Sequence, residues 1–316
     1  MTAHELKPSA DTVHWGFLDG SLAPVLEVAS GDTVTVHSLS GAPEEVPSQL
    51  STLRPEHADI HARLSPSPGP HILTGPISVR EAMTGDVLKV EILDIALRER
   101  WGYNITRPGR GTLPDDFLEP HTRHFEIDPE AGSITLPWGG TLQANPFFGI
   151  IAAAPRPQDG RLTSVIPGYF GGNLDCRELT AGSTLYLPVS VAGALISIGD
   201  GHASQGDGEA CLTAVETGLT GRFRFTVLKV GSLEFPYAAT PSHLITMGVD
   251  ENLEEAVRLA LRRAIAQVSS ATGISAAEAY TLCSIAADIR ITQLVNVKKG
   301  VHVMIPKAVL QQAAND

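Results

Sequence analysis

The sequence predicts an α+β fold that is mostly β, with sandwich- or barrel-like layers and a C-terminal helical pair packed on the sheets. Three observations carry that expectation. The chain holds 30 Gly and 22 Pro and only 18% of it is charged, a turn-rich composition poor in long solvated helices. Its clearest local pattern is apolar/polar alternation behind Gly-containing turns. A helical period is sustained only in the C-terminal third, at about residues 251–287. With 316 residues, 43% of them hydrophobic, a sizeable core needs neither disulfides nor structural metals. The whole chain, 1–316, reads as one unit, whose natural subdivision is a β-rich part over 1–145 and a β-rich part over 146–316 that carries the polar clusters and the helices.

Taken in order, Gly31-Asp32 opens a strand in which Val34 and Val36 share one face while Thr33, Thr35 and His37 share the other. The pattern returns behind Gly85-Asp86, with Leu88, Val90 and Ile92 facing in, and again behind Gly182 over Thr184–Leu187. Arg80-Glu81 and Arg177-Glu178 stand at the same spacing before the second and third copies, which fits an internal repeat as well as it fits common hairpin chemistry. Residues 104–124 hold many breakers and no period, so they read as a long surface loop, either a lid or a solvated excursion. The Pro/Gly-rich stretch 147–172 also lacks a period. Asp250 is placed to cap a helix with early Glu251, Glu254 and Glu255, later Arg258, Arg262 and Arg263, and a stripe of Leu253, Val257, Leu261, Ala264 and Val268. Gly273 stops it, and Ser275 with Glu278 forms a capping box for a second helix reaching about Ala287. Strands follow at 289–295 and 301–305, which places the helices between paired strands.

Composition removes several classes of function. There are 23 Lys+Arg against 35 Asp+Glu, a net charge of -12 with no basic tract, so a nucleic-acid partner is not expected. The most apolar stretch, 189–198, is interrupted by Ser190, Gly193 and Ser197 and falls short of a membrane span, and the N-terminus lacks the pattern of a secretory signal. Cys176, Cys211 and Cys283 form no C-x-x-C pair, which suits a reducing compartment and gives the cytoplasm as the expectation. Nucleophile-elbow, zincin, P-loop and dinucleotide motifs are all missing.

The densest polar cluster is Gly199-Asp-Gly-His-Ala-Ser-Gln-Gly-Asp-Gly-Glu209, directly behind the apolar run 194–198. A strand ending there would deliver Asp200, His202, Asp207 and Glu209 to a loop at a sheet edge. Imidazole and carboxylate together suit a divalent ion, zinc in preference to calcium, whereas the same residues could also serve only as a polar turn. Asp175, in Gly171-Gly-Asn-Leu-Asp175, is a further acidic candidate.

These segments carry a resemblance. Gly172–Asp175, Leu179–Pro188 and Gly199–Glu209, with His71–Pro76, Gly85-Asp86 and Lys299–His302, resemble the signature blocks of the acetamidase/formamidase family over nearly the whole chain. The resemblance implies a C–N hydrolase that converts a small aliphatic amide to carboxylate and ammonia. It also implies a β-rich fold unrelated to the amidase-signature and nitrilase enzymes. Ala152 and Ala153 stand where the family usually shows Gly-Val, so if that loop lines the pocket the accepted amide differs.

Two mechanisms compete at this stage. In one, a metal held by Asp175, Asp200 and His202 activates water while Glu209 or Asp207 moves the proton. In the other, Cys176 is the nucleophile beside Asp175. His14 and His71 are expected to reach the substrate pocket, His302 to point outward from a strand, and His57, His61, His121 and His124 to be solvated. The chain is expected to be a homo-oligomer. From another class, a non-catalytic β-sandwich that binds a structural ion fits the same Gly-rich cluster.

Overall fold

The structure, a computed structural model, describes residues 1–48 and 53–313. Most of the described chain is short strands in two large sheets. One sheet has nine strands in the order Ala3–Leu6, Thr33–His37, Leu219–Leu228, Val87–Leu97, Thr184–Pro188, Tyr237–Ala239, His243–Asp250, Lys299–Pro306 and Asp288–Gln293. The other has eleven, and Ile196–Ser204 lies deep inside it, paired with Phe147–Ala152, Ile72–Val79 and Val215–Glu216. The largest core cluster draws on both sheets: Val34, Val36, Leu88, Val90, Ile92, Leu185, Leu187, Phe223 and Phe225 from the first, and Ile77, Phe148, Ile196 and Ile198 from the second. Each such side chain removed from water contributes about 1.5–3 kcal/mol, so the alternation read in the sequence is what joins the layers.

The three alternating runs are strands of the nine-stranded sheet, and two of them, Val87–Leu97 and Thr184–Pro188, pair directly and antiparallel. Their Arg-Glu flanks do different things. Glu81 accepts the backbone N–H of Ser30 at 2.7 Å, whereas Glu178 accepts from Arg290 Nη1 at 3.0 Å.

The helical pair sits between the paired strands His243–Asp250 and Lys299–Pro306, as Leu253–Thr272 and Ala276–Ala286. Gly273 ends the first at a left-handed φ of 79°, and Ser275 and Glu278 form the expected capping box. Other details differ. Asn252, not Asp250, is the cap: its side chain accepts from Glu254 N at 2.8 Å and Glu255 N at 3.3 Å, while Asp250 accepts from Asn252 N. The helix runs well past Arg263, so its last turn holds no basic residue. Its buried line is Ala256, Ala260, Ala264 and Val268, with Leu253, Val257 and Leu261 flanking it half-buried. The reason is close approach: a Cβ at Gly248 would stand 2.2 Å from Ala256 O, so only small residues fit where helix meets sheet.

Residues 104–124 are less loop than expected. Trp101–Thr106 and His121–Asp128 pair antiparallel, leaving a connection of 107–120 at the hairpin tip. The aperiodic 147–172 stretch contains the fully buried strand Phe147–Ala152, whose continuous apolar run is the mark of a strand covered on both faces. A helix, Pro55–Arg63, was not foreseen, and it buries His57 and Ile60. Among the described residues no helix is long and apolar enough to cross a membrane.

Candidate active site

Asp200 and His202 lie within the strand Ile196–Ser204 rather than in a loop beyond it, and that strand is interior rather than at an edge. Two residues apart, they project to one face. Glu216 is the cross-strand partner of His202. Asp175 follows the short strand Gly171–Asn173, and its N–H donates to Gly149 O at 3.2 Å. Glu209 arrives on a turn anchored to the far end of the other sheet, where Gly208 N donates to Thr292 O and Leu294 N to Gly208 O. Asp175, Asp200 and Glu209 all have left-handed backbones, with φ of 48°, 58° and 46°. Side-chain-bearing residues avoid that region, at a cost on the order of 1 kcal/mol or more each, so the surrounding packing holds them there.

The five side chains are buried together. His202 Nε2 lies 3.2 Å from Glu216 Oε1, 3.5 Å from Asp200 Oδ1 and 3.9 Å from Asp175 Oδ1. Gln205 sets the imidazole tautomer. Its Nε2 donates to Asp175 O at 2.9 Å and to Thr292 O at 3.4 Å, which turns its Oε1 toward His202 Nδ1 at 2.9 Å. Nδ1 therefore carries a proton and Nε2 faces the carboxylates. A nitrogen lone pair among carboxylate oxygens is repulsive unless a cation or a proton lies between them.

The electrostatics follow from burial of like charges. Burial, with Asp200 adding to it, pushes the Asp175 carboxyl up to about 7. Burial likewise lifts Glu216 to about 7 and, reinforced by Asp175, Glu209 well above the carboxylate range. At Asp200 burial is outweighed by His71 and His202, which hold it below its ordinary value. Burial disfavours the charge on His202, but Glu216 and Asp200 overcome it and raise that pKa well above the imidazole range.

A divalent ion fits these donors. One group of ligand atoms lies on Asp175, Asp200 and His202, another on His202, Glu209 and Glu216, each set within 4.8 Å. His202 Nε2, Asp175 Oδ1 and Glu209 Oε2 are buried without a hydrogen-bond partner. The room between them depends on Gly149: a Cβ there would meet Asp175 Oδ1 at 2.4 Å, Asp200 Oδ2 at 2.5 Å and His202 Cε1 at 3.0 Å.

Asp175, Asp200, Glu209 and Glu216 lie at the wall of a cavity of about 120 Å³ that His71 also lines. His71 Nδ1 shares a hydrogen bond with Ser164 Oγ at 2.8 Å, and its Nε2 is 3.8 Å from Asp200. His14 is buried elsewhere, 2.8 Å from Ser197 Oγ and against the Phe17 ring, and does not line the cavity. Asp207 is exposed and outside both ligand groups. Burial drives the Cys176 thiol up to about 12, so its thiolate is strongly disfavoured. Ala152 and Ala153 pack into hydrophobic clusters rather than the cavity wall. His302 is buried, sharing a hydrogen bond with Thr292 Oγ1 at 2.7 Å, and His57 is buried beside Trp101; neither is outward or solvated. Arg107 and Arg110 of the 107–120 connection do reach the cavity.

Sequence reading missed Glu216, Gln205 and Asn296, the last of which donates from Nδ2 to Asp175 Oδ2 and to Asn173 O. Gln205 stood inside the polar cluster three residues from His202, and that spacing was its one local signal. Glu216 and Asn296 arrive through strand pairing and a distant loop, with no local signature.

The chain matches the model of the acetamidase/formamidase family over residues 20–159 and 158–312. It is similar to the acetamidase of Mycolicibacterium smegmatis, 32% identical over 44% of this chain and 48% of that protein. It is also similar to the formamidase of Methylophilus methylotrophus, 30% identical over 44% of this chain and 47% of that one. The matching stretch thus spans about half the length of these curated relatives. Its fold is similar to the crystal structure of a recombinant predicted acetamidase/formamidase from Thermoanaerobacter tengcongensis, with a TM-score of 0.86 and 28% identity over 99% of this chain and 98% of that one.

Proposed function

Because the chain belongs to the acetamidase/formamidase family, we propose that it hydrolyses a small aliphatic amide, of the formamide or acetamide type, to carboxylate and ammonia. The observation that carries this reading is the cluster itself: four carboxylates at the wall of a small cavity and the imidazole of His202 buried among them, with His202 Nε2, Asp175 Oδ1 and Glu209 Oε2 left without partners. Asp175, Asp200 and His202 would hold a divalent ion, zinc rather than calcium because a neutral imidazole nitrogen is among the donors. When bound, the ion supplies Lewis-acid polarisation of the amide carbonyl and lowers the pKa of water.

The protein's own groups do the rest. Glu209, buried at the cavity wall, is the group we assign to take a proton from water as the carboxylate and then, as the acid, pass it to the leaving nitrogen; burial and Asp175 raise its carboxyl, which favours its return of the proton. Water adds to the carbonyl carbon, the C–N bond breaks, and the nitrogen departs as ammonia with that proton. Asp207, being exposed, is a weaker choice for this role. His71, fixed by Ser164, orients Asp200 and offers Nε2 toward the cavity. A reducing, cytoplasmic setting is in keeping with three free cysteines.

The test is ammonia release from formamide and acetamide, with metal content measured in parallel. His202→Ala should lose metal and turnover together with the β-sheet spectrum unchanged, and Asp175→Asn should lose turnover. Cys176→Ala should keep most of it. A dead Cys176→Ala enzyme together with a chelator-resistant wild type would overturn the mechanism. Bound metal without turnover of any small amide would favour a binding protein instead.

A further inference from the structure

The outer edge of the nine-stranded sheet is the strand Asp288–Gln293, which pairs on one side with Lys299–Pro306. Its C-terminal end is engaged by Gly208, but no other described strand pairs with its first four residues. A free edge normally carries protection such as a bulge, a proline or an inward charge. Here the one register irregularity lies between Ile291 and Gln293, and the strand ahead of it presents Ile289, 48% exposed, and Ile291, 37% exposed.

Register explains where those side chains go. Ile289 and Ile291 lie opposite Val303 and Val301, which belong to the cluster under the two helices, so all four project to the helix side of the sheet. The valines are covered and the isoleucines, one strand further out, are not. The helix Ala276–Ala286, apolar nearly all round, leads into this strand and leaves Tyr280 at 56% and Ile285 at 76% exposure. Exposed apolar side chains on the edge strand and on the helix that leads into it make this edge a candidate contact surface.

The charges identify the occupant. Asp288 and Arg290 flank Ile289 on the opposite face of the strand. If a second copy of the strand lies antiparallel about a two-fold axis through Ile289, then Ile289 meets its own counterpart and each Asp288 falls opposite an Arg290. That places apolar against apolar on one face and opposite charges on the other. Moving the axis to Arg290 would oppose Arg290 to itself, and a one-residue slip would set Ile289 against Arg290. The symmetric register works whichever of the two residue classes carries the inter-strand hydrogen bonds. Arg290 already holds Glu178 through Nη1 and has Asp288 of its own strand 3.9 Å from Nη2, a separation too long for a hydrogen bond, so its guanidinium keeps donors for a carboxylate across the axis.

We propose that two copies of this chain join edge to edge through the strand Asp288–Gln293, continuing the sheet across a two-fold axis at Ile289. The same strand runs on through Thr292, whose carbonyl anchors Gln205 and Gly208, so the interface braces the segment behind His202 and Glu209.

Paired residues at such an axis have Cα atoms about 4.5–5.5 Å apart, within disulfide range. The experiment places Ile289→Cys in a Cys211→Ser background, which removes the exposed native thiol, and oxidises mildly. A covalent dimer on a non-reducing gel is expected, and none from Ser232→Cys, an exposed position outside this strand and its helix. Separately, Ile289→Arg should halve the mass seen by light scattering at micromolar concentration while leaving the circular dichroism spectrum unchanged. A monomeric wild type, or an oligomer that survives Ile289→Arg and gives no cross-link from Ile289→Cys, overturns the proposal. Neither result depends on the amide-hydrolysis reading.

Discussion

At the scale of single residues, the site depends on an absent side chain as much as on the five that are present. Gly149 lies opposite Asp200, as the register on either side of it shows, and any Cβ there would press on two carboxylates. Gly149→Ala should therefore abolish turnover and metal retention together, while its φ, which is not in the left-handed region, leaves the strand intact. A variant with wild-type metal content would show that the space between Asp175 and Asp200 is not the ion's. Gln205 acts one step further out, by fixing the proton on His202 Nδ1. Partners of this kind typically contribute 10–100-fold in affinity or activity, so Gln205→Leu should weaken metal binding by about that factor in a titration, and an unchanged affinity would sink the tautomer argument. Asp200, His202 and Glu209 were legible because they sit in a glycine-rich block that announces tight backbone geometry, Asp175 because its block resembles the family's, and His71 because it precedes a turn. Glu216 was not, because its relation to His202 exists only in the strand ladder. Neither was the seclusion of His14, which depends on Ser197 nearly two hundred residues away.

Among elements, those that the sequence made plain are the ones whose forces are local. Alternation located the strands at 33–37, 87–97 and 184–188, and a capping box and a left-handed glycine located the helix ends. The element that escaped, Pro55–Arg63, is short and buries only His57 and Ile60, too few residues to form a stripe. Phe147–Ala152 escaped for the opposite reason, since a strand buried on both faces has no alternation to show. Choosing between adjacent caps also needs coordinates. Asp250 belongs to the preceding strand, which leaves Asn252 to satisfy the first N–H groups of the long helix. Asn252→Ala should therefore lower stability by about 1 kcal/mol, with Asp250→Ala costing less; denaturant midpoints for the two variants would reverse if the cap were at Asp250.

For the whole molecule, the two-sheet architecture buries histidines in three separate places outside the site, and this makes acid stability a global property. Burial pushes His14, His57 and His302 down to about 4 from the ordinary 6.5. In the unfolded chain each binds a proton below about 6.5, whereas the folded protein excludes it until about 4. The unfolded state thus holds more protons across that window, so the stability these residues contribute is complete above pH 6.5 and is lost as the pH falls toward 4. Each pKa unit is worth about 1.4 kcal/mol, so three such residues remove several kcal/mol from a net stability of roughly 5–15 kcal/mol. The carboxyls of the site act with the opposite sign, because Asp175 and Glu216, raised to about 7, take up protons more readily when folded. Comparing a single histidine variant with wild type at each pH cancels that contribution. His57 is the residue to replace, since neither of its ring nitrogens has a hydrogen-bond partner and its neighbours are the rings of His61 and Trp101. A phenyl ring fills the same place without a titrating nitrogen. Urea midpoints of His57→Phe and wild type should lie close together at pH 7.5 and separate progressively toward pH 4.5, the variant being the more stable; a constant gap across that range would mean that His57 does not resist protonation in the folded state.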